Sequence, residues 1–418
     1  MNALIISIGD ELLIGQVTNT NATYTARQLN LYGIQVRKVL TISDEETDIL
    51  QALQEGLLYD LVIITGGLGP TKDDITKHTL AKFMQDELVE NDLVRKDIES
   101  LLSARGRVMN ELNKQQALVL RSAKIIRNFI GTAPGMILKK NNTTFVSLPG
   151  VPFEMKPMLM SFLKDYASEN VFQNIIHKTI LVFGIPESEL AIKLESWENQ
   201  LKSNDIHLAY LPNRNLIRLR LSVYKAQNHT DELLQTRIEE LKTILGKHYL
   251  GEETFGSAYE NPLAKVVFQK LKEKQWKIAF AESCTGGSLS SIFTRIAGVS
   301  EVFNGSIVSY TNEAKQNLLK VQPDTLKKHG AVSKECVEEM VKAVAKLMCA
   351  DLALSVSGIA GPTGGTAEKP VGTVWMALYW HGEVESKLFQ FGNHSREHII
   401  ESTVYQALSW ILKKILMF

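Results

Sequence analysis

Three stretches in the last third of the chain bring together side chains that can do chemistry. The first is Ala281-Glu282-Ser283-Cys284-Thr285-Gly286-Gly287, where small hydroxyl residues and paired glycines lie between a predicted strand at 278–281 and a helix. Such a loop either exposes backbone N–H groups that cradle a phosphate at the helix N-terminus or is a tight turn with capping hydroxyls. If the strand persists this far, Ser283 and Thr285 share one face and Cys284 takes the other, so Cys284 reads as a small core residue rather than a nucleophile. The second stretch runs from Ser306 through Tyr310 and Asn312 to Lys315. Asn312 is a good N-cap, which puts Lys315 at about the third helical position, near the positive end of the helix dipole. There Lys315 is either a solvated lysine beside Glu313 or, with burial, a neutral amine able to act as a base. Tyr310, at the strand end, is placed to orient or relay a proton. The third stretch is a loop from Ser357 to Thr373 that includes Gly358, Gly361, Gly364, Gly365 and Gly372. A loop this long without secondary structure is a functional signal. Arg396, beside the last helix, is a phosphate clamp or an ordinary first-turn residue. Serine hydroxyls, a lysine, a phosphate cradle and an arginine, with no metal-ligand cluster, suit nucleophilic amide hydrolysis on a small phosphorylated substrate.

The N-terminal part carries a second candidate site. Gly66-Gly67-Leu68-Gly69-Pro70-Thr71 follows a predicted strand at 61–65 and suits a phosphate, although no Gly-Lys-Ser/Thr follows as in a Walker loop. Asp73 and Asp74 either bind a divalent ion that bridges a pyrophosphate or complement the dipole of the next helix. Asp10 and Glu11, after the first strand, are either metal or ribose contacts or turn formers.

The elements that must position these residues read as two α/β domains around a smaller unit. Residues 3–8 form a short apolar strand ending at Gly9. Asn21 caps a helix to about Leu31, a strand follows at 34–42, Ser43 and Asp44 cap the next helix, and a third strand spans 61–65. Alternating strands and helices predict a doubly wound parallel sheet, with ligands beyond the carboxyl ends of its strands. A strand at 144–148 and a helix to about 167 close this domain. From about 175 the pattern becomes that of a small α+β middle domain, with Ile217, Leu219, Leu221 and Val223 alternating with Arg218, Arg220 and Ser222. The polar stretch 251–260 is the best linker. Asn261-Pro262 then opens the C-terminal α/β domain, which ends in a helix from Ser395. The expected domains are 1–170, 171–255 and 256–418.

Composition bounds the partners. The 418 residues carry 46 Lys plus Arg against 46 Asp plus Glu. Without a basic excess or stripe, direct nucleic-acid binding is not expected. Cys284, Cys336 and Cys349 share no C-x-x-C spacing, which fits reduced thiols in a cytoplasmic protein. No signal peptide or membrane-length apolar stretch is evident.

The strings AESCTGG, IAGVSEVFNGSIVSYTNEAK, GAVS and SGIAGPTGGTAEKPVGTVW resemble the nicotinamide mononucleotide deamidase domain of the CinA (competence/damage-inducible) family. GDELLIGQVTNTN, GGLGPTKDD, GTAPGM and LPGVPFEM resemble the other half of full-length CinA proteins, which is similar to molybdopterin-binding domains. The resemblance implies hydrolysis of nicotinamide mononucleotide to nicotinate mononucleotide and ammonia without a cofactor. It further implies metal-dependent hydrolysis of ADP-ribose at the N-terminal site. Carried over by motif, the deamidase site comprises Ser283, Ser300, Tyr310, Lys315, Ser357 and Arg396, with Thr285, Gly286, Gly287, Gly358 and Gly361 around the substrate. The place of Ser300 in its motif favours it as nucleophile, with Ser283 positioning substrate or oxyanion, but sequence does not decide between them. At the N-terminal site, Asp10, Glu11, Gly66, Gly67, Gly69 and Thr71 would bind ligand and Asp73 and Asp74 the metal. The expected partners are small nucleotides and a second copy in a homodimer, with no nucleic acid and no membrane. Two alternatives are a molybdopterin-binding or transfer protein and an interaction protein in DNA uptake or repair. The middle domain reads as a spacer or dimerisation module.

Overall fold

The structure is a computed structural model that describes residues 1–71, 74–169, 175–213, 216–253 and 261–418. Asp73, a predicted metal ligand, lies outside the described residues. The chain divides into two units, one formed by Met1–Ile176 with Ser222–Leu233 and the other by His177–Leu221 with Leu234–Phe418.

The first unit is a doubly wound α/β domain. Asn2–Ile8 pairs in parallel with Gln35–Ile42 on one side and Leu61–Thr65 on the other, and Leu61–Thr65 pairs in parallel with Thr143–Leu148. Gly135–Lys140 and Lys124–Ile126 extend the sheet as antiparallel strands. Side chains of a strand alternate between its two faces. Leu4, Ile6 and Ile8 accordingly join one buried cluster while Ala3 and Ile5 join another. Both faces are covered, which is why this strand reads as an unbroken apolar run. Helix starts differ from expectation in detail. Asn19, not Asn21, caps Thr20–Leu31 by accepting from Ala22 N, and Asn21 instead donates to the carbonyl of Gly150 at 2.6 Å. The next helix, Glu46–Gly56, starts at Glu45 without a side-chain cap, and Ser43 turns its hydroxyl to Asp48.

In the second unit, Tyr249–Glu253 pairs antiparallel with Ile176–Phe183 in a four-stranded sheet that also holds His207–Asn213 and Leu216–Val223. The C-terminal sheet has Ile278–Glu282 at its centre, parallel to both Phe303–Val308 and Leu352–Gly358, with Thr373–Trp380 and Glu383–Gln390 added antiparallel. Alternation again splits the core: Ile278 and Phe280 face one apolar cluster, Ala279 and Ala281 the other. The carboxyl ends of the three parallel strands, and the start of Thr373–Trp380, therefore lie along one edge. Among the described residues no helix is long and apolar enough to cross a membrane.

Candidate functional site

That edge of the C-terminal sheet holds a serine and a lysine in contact. The strand ends at Glu282, so Ser283 opens the following turn. Thr311, rather than Asn312, caps the helix Asn312–Leu319, its hydroxyl accepting from Ala314 N. This puts Lys315 on the same inward face as Leu319, one turn further on. Lys315 is 1% exposed. Its Nζ lies 2.9 Å from Ser283 Oγ and donates to the carbonyls of Ser309 at 2.8 Å and Tyr310 at 3.4 Å. No carboxylate forms a salt bridge with it among the described residues, and burial holds its pKa below the usual lysine value. A neutral amine has two hydrogens and one lone pair. With the hydrogens on two carbonyls, the lone pair is left for the proton of Ser283. The reading of Lys315 as a solvated surface lysine does not hold.

The turn after the strand corrects a second expectation. Of the two readings of Thr285, Gly286 and Gly287, a phosphate cradle or a tight turn with capping hydroxyls, the turn is what forms, because Glu282, fully buried, fills the place of a phosphate. Its Oε2 accepts from Thr285 Oγ1 at 2.8 Å and from the amides of Gly287 and Leu289 at 3.1 Å. Its Oε1 accepts from Ser290 N at 2.9 Å, from the Ser290 hydroxyl and from Ser306 Oγ at 3.4 Å. The amide of Gly286 donates to Ser283 O. An internal carboxylate thus takes the donors a phosphate would need. Left-handed backbone at Gly286 (φ 59°) and Gly287 (φ 94°) is what lets the turn fold over it. Sequence reasoning passed over Glu282; an acid immediately before a Ser-x-x-Gly-Gly helix start was the available signal.

Ser300 sits elsewhere. It is exposed in a short 3-10 turn, Val299–Glu301, just before Phe303–Val308. Phe303 pairs with Ile278 at the start of the central strand, whereas Val308 pairs with Glu282 at its end. Five residues of strand at about 3.3 Å each set Ser300 roughly 16 Å from the Ser283 end. Lys277 and Lys272, flanking the start of that strand, hold Glu301 through its carbonyl and carboxylate. Ser300 is therefore not in reach of Lys315.

The remaining residues divide similarly. Ser357 Oγ is buried and donates to Ala331 O at 2.7 Å, as Ser355 Oγ does to Val337 O, tying the strand to neighbouring elements. Gly358 is a packing requirement, since a Cβ there would come within 3.1 Å of Cys284 Sγ and 3.0 Å of Thr373 O. Cys284 is core, its thiol pushed up to about 12 by burial. Arg396 begins the helix Arg396–Ile415, where Ser395 caps by accepting from His398 N. Its guanidinium donates to Gly361 O at 2.8 Å and to the hydroxyl of the half-exposed Tyr310 at 2.5 Å, so Tyr310, Gly361 and Arg396 do come together. Next to Gly361 opens a cleft of about 450 Å³ lined by Thr363, Gly364, Gly365, Thr366 and Asn393 among others. Thr373 Oγ1 in its wall is buried without a partner among the described residues.

In the first unit, a cavity of about 500 Å³ forms where Ile8-Gly9, Gly66–Pro70 and Pro149–Pro152 leave the ends of parallel strands. Gly66 cannot carry a side chain, because a Cβ would meet Ile8 O at 2.2 Å. Glu11, Asp44, Asp74 and Glu154 line the cavity, whereas Asp10 contributes its amide, which donates to Asp44 Oδ2. Thr71 is spent internally, its amide and hydroxyl both donating to Asp74 Oδ2. Burial first, then the nearby carboxylates of Asp10, Glu11 and Asp74, raise the Asp44 pKa. Among the described residues no three histidine, cysteine or acidic side chains converge as a metal cage. A magnesium ion here would be held by one or two of Glu11, Asp44, Asp74 and Glu154 together with ligand phosphate, the way such ions are commonly bound.

Residues 4–169 match the probable molybdopterin binding domain, 177–251 the damage-inducible protein CinA KH domain and 260–415 the CinA C-terminal domain. A CinA-like protein of Flavobacterium psychrophilum is 41% identical over 100% of this chain and 99% of its own length. The chain belongs to the CinA family. A putative competence-damage inducible protein of Clostridium botulinum strain Loch Maree is 37% identical over 100% of both chains. Among solved structures, the competence damage-inducible protein A of Klebsiella pneumoniae is similar, with 37% identity over 37% of this chain and 95% of that one, at a TM-score of 0.36.

Proposed function

We propose that the C-terminal domain is an amidohydrolase that converts nicotinamide mononucleotide to nicotinate mononucleotide and ammonia. The contact between Ser283 Oγ and a buried, carboxylate-free Lys315 Nζ carries this reading. The substrate follows from the motif resemblance to CinA-family deamidases. Lys315 takes the Ser283 proton as Oγ attacks the carboxamide carbon. The resulting ammonium returns a proton to the leaving nitrogen, ammonia departs, and an acyl-serine remains. Lys315 then draws a proton from water, which attacks the acyl carbon, and protonates Ser283 as the carboxylate leaves. No metal takes part in these steps. Arg396, which holds Gly361 O, and the adjoining cleft from Pro362 to Asn393 would take the phosphoribosyl portion, since the turn at Gly286-Gly287 is closed by Glu282. The test is ammonia release from nicotinamide mononucleotide by the full chain with EDTA present. Undiminished turnover under chelation supports the reading, and a folded chain without turnover refutes it.

The carboxylate-lined cavity of the first unit favours a second activity, divalent-metal-dependent cleavage of ADP-ribose. A metal there would neutralise the acidic lining and draw in the pyrophosphate. Nucleic acid is not the proposed ligand of the middle domain. KH domains clamp a nucleic-acid backbone with a G-x-x-G loop, and residues 177–251 contain glycine only at 184, 246 and 251.

A further inference from the structure

Among the described residues the three larger sheets end in six edge strands, and five of these are blunted against pairing with a further strand. Lys124–Ile126 has only three residues, and His207–Asn213 contains Pro212, which has no N–H to give. Gln35–Ile42, Tyr249–Glu253 and Phe303–Val308 each break register with their neighbour, skipping Arg37, Leu250 and Asn304. Glu383–Gln390, at the edge of the C-terminal sheet, has none of these devices. It holds no proline or glycine and pairs without a break from Glu383 with Trp380 to Gln390 with Thr373. A long regular edge presents a row of backbone donors and acceptors on its outer side, to which another strand can add.

The side chains of this strand select its partner. When two copies of one strand meet antiparallel about a two-fold axis, residue i of one faces j of the other and j faces i. With the axis at Ser386, Glu385 of each copy lies opposite Lys387 of the other, and Val384 lies opposite Leu388. Residues directly opposite have Cβ atoms about 4.5–5.5 Å apart, close enough for both charge pairs and both apolar pairs to form. Glu385 and Lys387 share a face and are already held in place, Glu385 by Lys414 and Lys387 over the Trp410 ring at 4.6 Å. Leu388, on the other face, is 44% exposed and would gain cover. Charges on an edge can instead repel a neighbour, as they would on Gln35–Ile42, where an axis at Arg37 or Lys38 sets a basic residue against itself. On Glu383–Gln390 the same symmetry sets opposite charges together.

We propose that the outer edge of Glu383–Gln390 is the docking surface for a second copy of this chain, joined antiparallel about Ser386 so that the two C-terminal sheets run on into one another. This assigns the homodimer contact to the C-terminal domain rather than to the middle domain, and it is independent of both proposed activities.

Sedimentation equilibrium of the full chain tests it, with two single charge reversals and their mixture. The native chain should dimerise. Glu385→Lys sets like charges opposite at both symmetric pairs, and so does Lys387→Glu. Each should raise the dimer dissociation constant roughly tenfold or more. An equimolar mixture of the two variants restores both pairs, because one chain then carries only positive and the other only negative charge at these positions. Heterodimers should therefore form with close to native affinity. Thermal melts report whether each variant is folded, and a general loss of stability does not produce recovery on mixing. A native chain that stays monomeric throughout the micromolar range overturns the proposal. So do single variants that dimerise as the native chain does, or a mixture of folded variants that associates no more tightly than either alone.

Discussion

Replacing Glu282 by glutamine and by alanine should have very different consequences, and the hydrogen bonds show why. Oε2 serves two backbone amides and one hydroxyl, whereas Oε1 serves one amide and two hydroxyls. A glutamine with its carbonyl in the Oε2 position keeps those three bonds. Its NH2 group then faces the hydroxyls of Ser290 and Ser306, which can rotate to accept, and the amide of Ser290, which cannot. One stranded buried donor costs about 1–3 kcal/mol. For a domain of this size, each kcal/mol lowers the melting temperature by about 2–4 °C, so Glu282→Gln should melt roughly 2–12 °C below native. Alanine strands the amides of Gly287, Leu289 and Ser290 together. At the same cost per donor that is about 3–9 kcal/mol, comparable with the whole stability of a typical domain at about 5–15 kcal/mol. Scanning calorimetry should show a folded glutamine variant and an alanine variant that is severely destabilised or fails to fold. An alanine variant melting within about 2 °C of native, or no worse than the glutamine one, would refute the role assigned to this carboxylate.

Two further outcomes follow from the same geometry. Lys315→Met should lower kcat for ammonia release by about 10²–10⁴, the usual contribution of a positioned base, with little change in KM. Because the neutral amine is the competent form, the native rate should fall on the acid side of the Lys315 pKa, and burial places that limb below the ordinary lysine value of 10.5; the methionine variant should lose it, as steady-state rates across pH would show. Iodoacetamide should label the exposed Cys349 in the folded chain and reach Cys284 and Cys336 only after denaturation, since burial raises both of those thiols, to about 12 and about 11. Mass spectrometry of the labelled peptides reads this directly.

Much of the architecture was legible because each strand advertises how it is covered. Asn2–Ile8 and Ile278–Glu282 are buried on both faces and read as short unbroken apolar runs, and helices between them imply parallel pairing. The segment between Leu61–Thr65 and Thr143–Leu148 was harder: three of its four strands, Leu88–Glu90, Leu118–Leu120 and Lys124–Ile126, have three residues each, too few for a period to show. Lys315 was legible as a candidate because its helix cap fixed its place near the helix start, but only packing decided that it turned inward. The place of Ser300 has a topological cause. A residue between a helix and the next parallel strand lies at the amino edge of the sheet, away from the edge where Ser283 and Lys315 meet. Glu282 escaped notice because its role depends on which donors a folded turn presents, and spacing alone does not state that.

The most direct test of the central claim is ammonia release from nicotinamide mononucleotide by Ser283→Ala beside Ser300→Ala. Ser283 touches Lys315 Nζ at 2.9 Å, and Ser300 lies at the opposite edge of the sheet. The account predicts that Ser283→Ala abolishes turnover in a folded chain while Ser300→Ala retains near-native rates. Normal turnover in Ser283→Ala, or its loss in a folded Ser300→Ala, would contradict it.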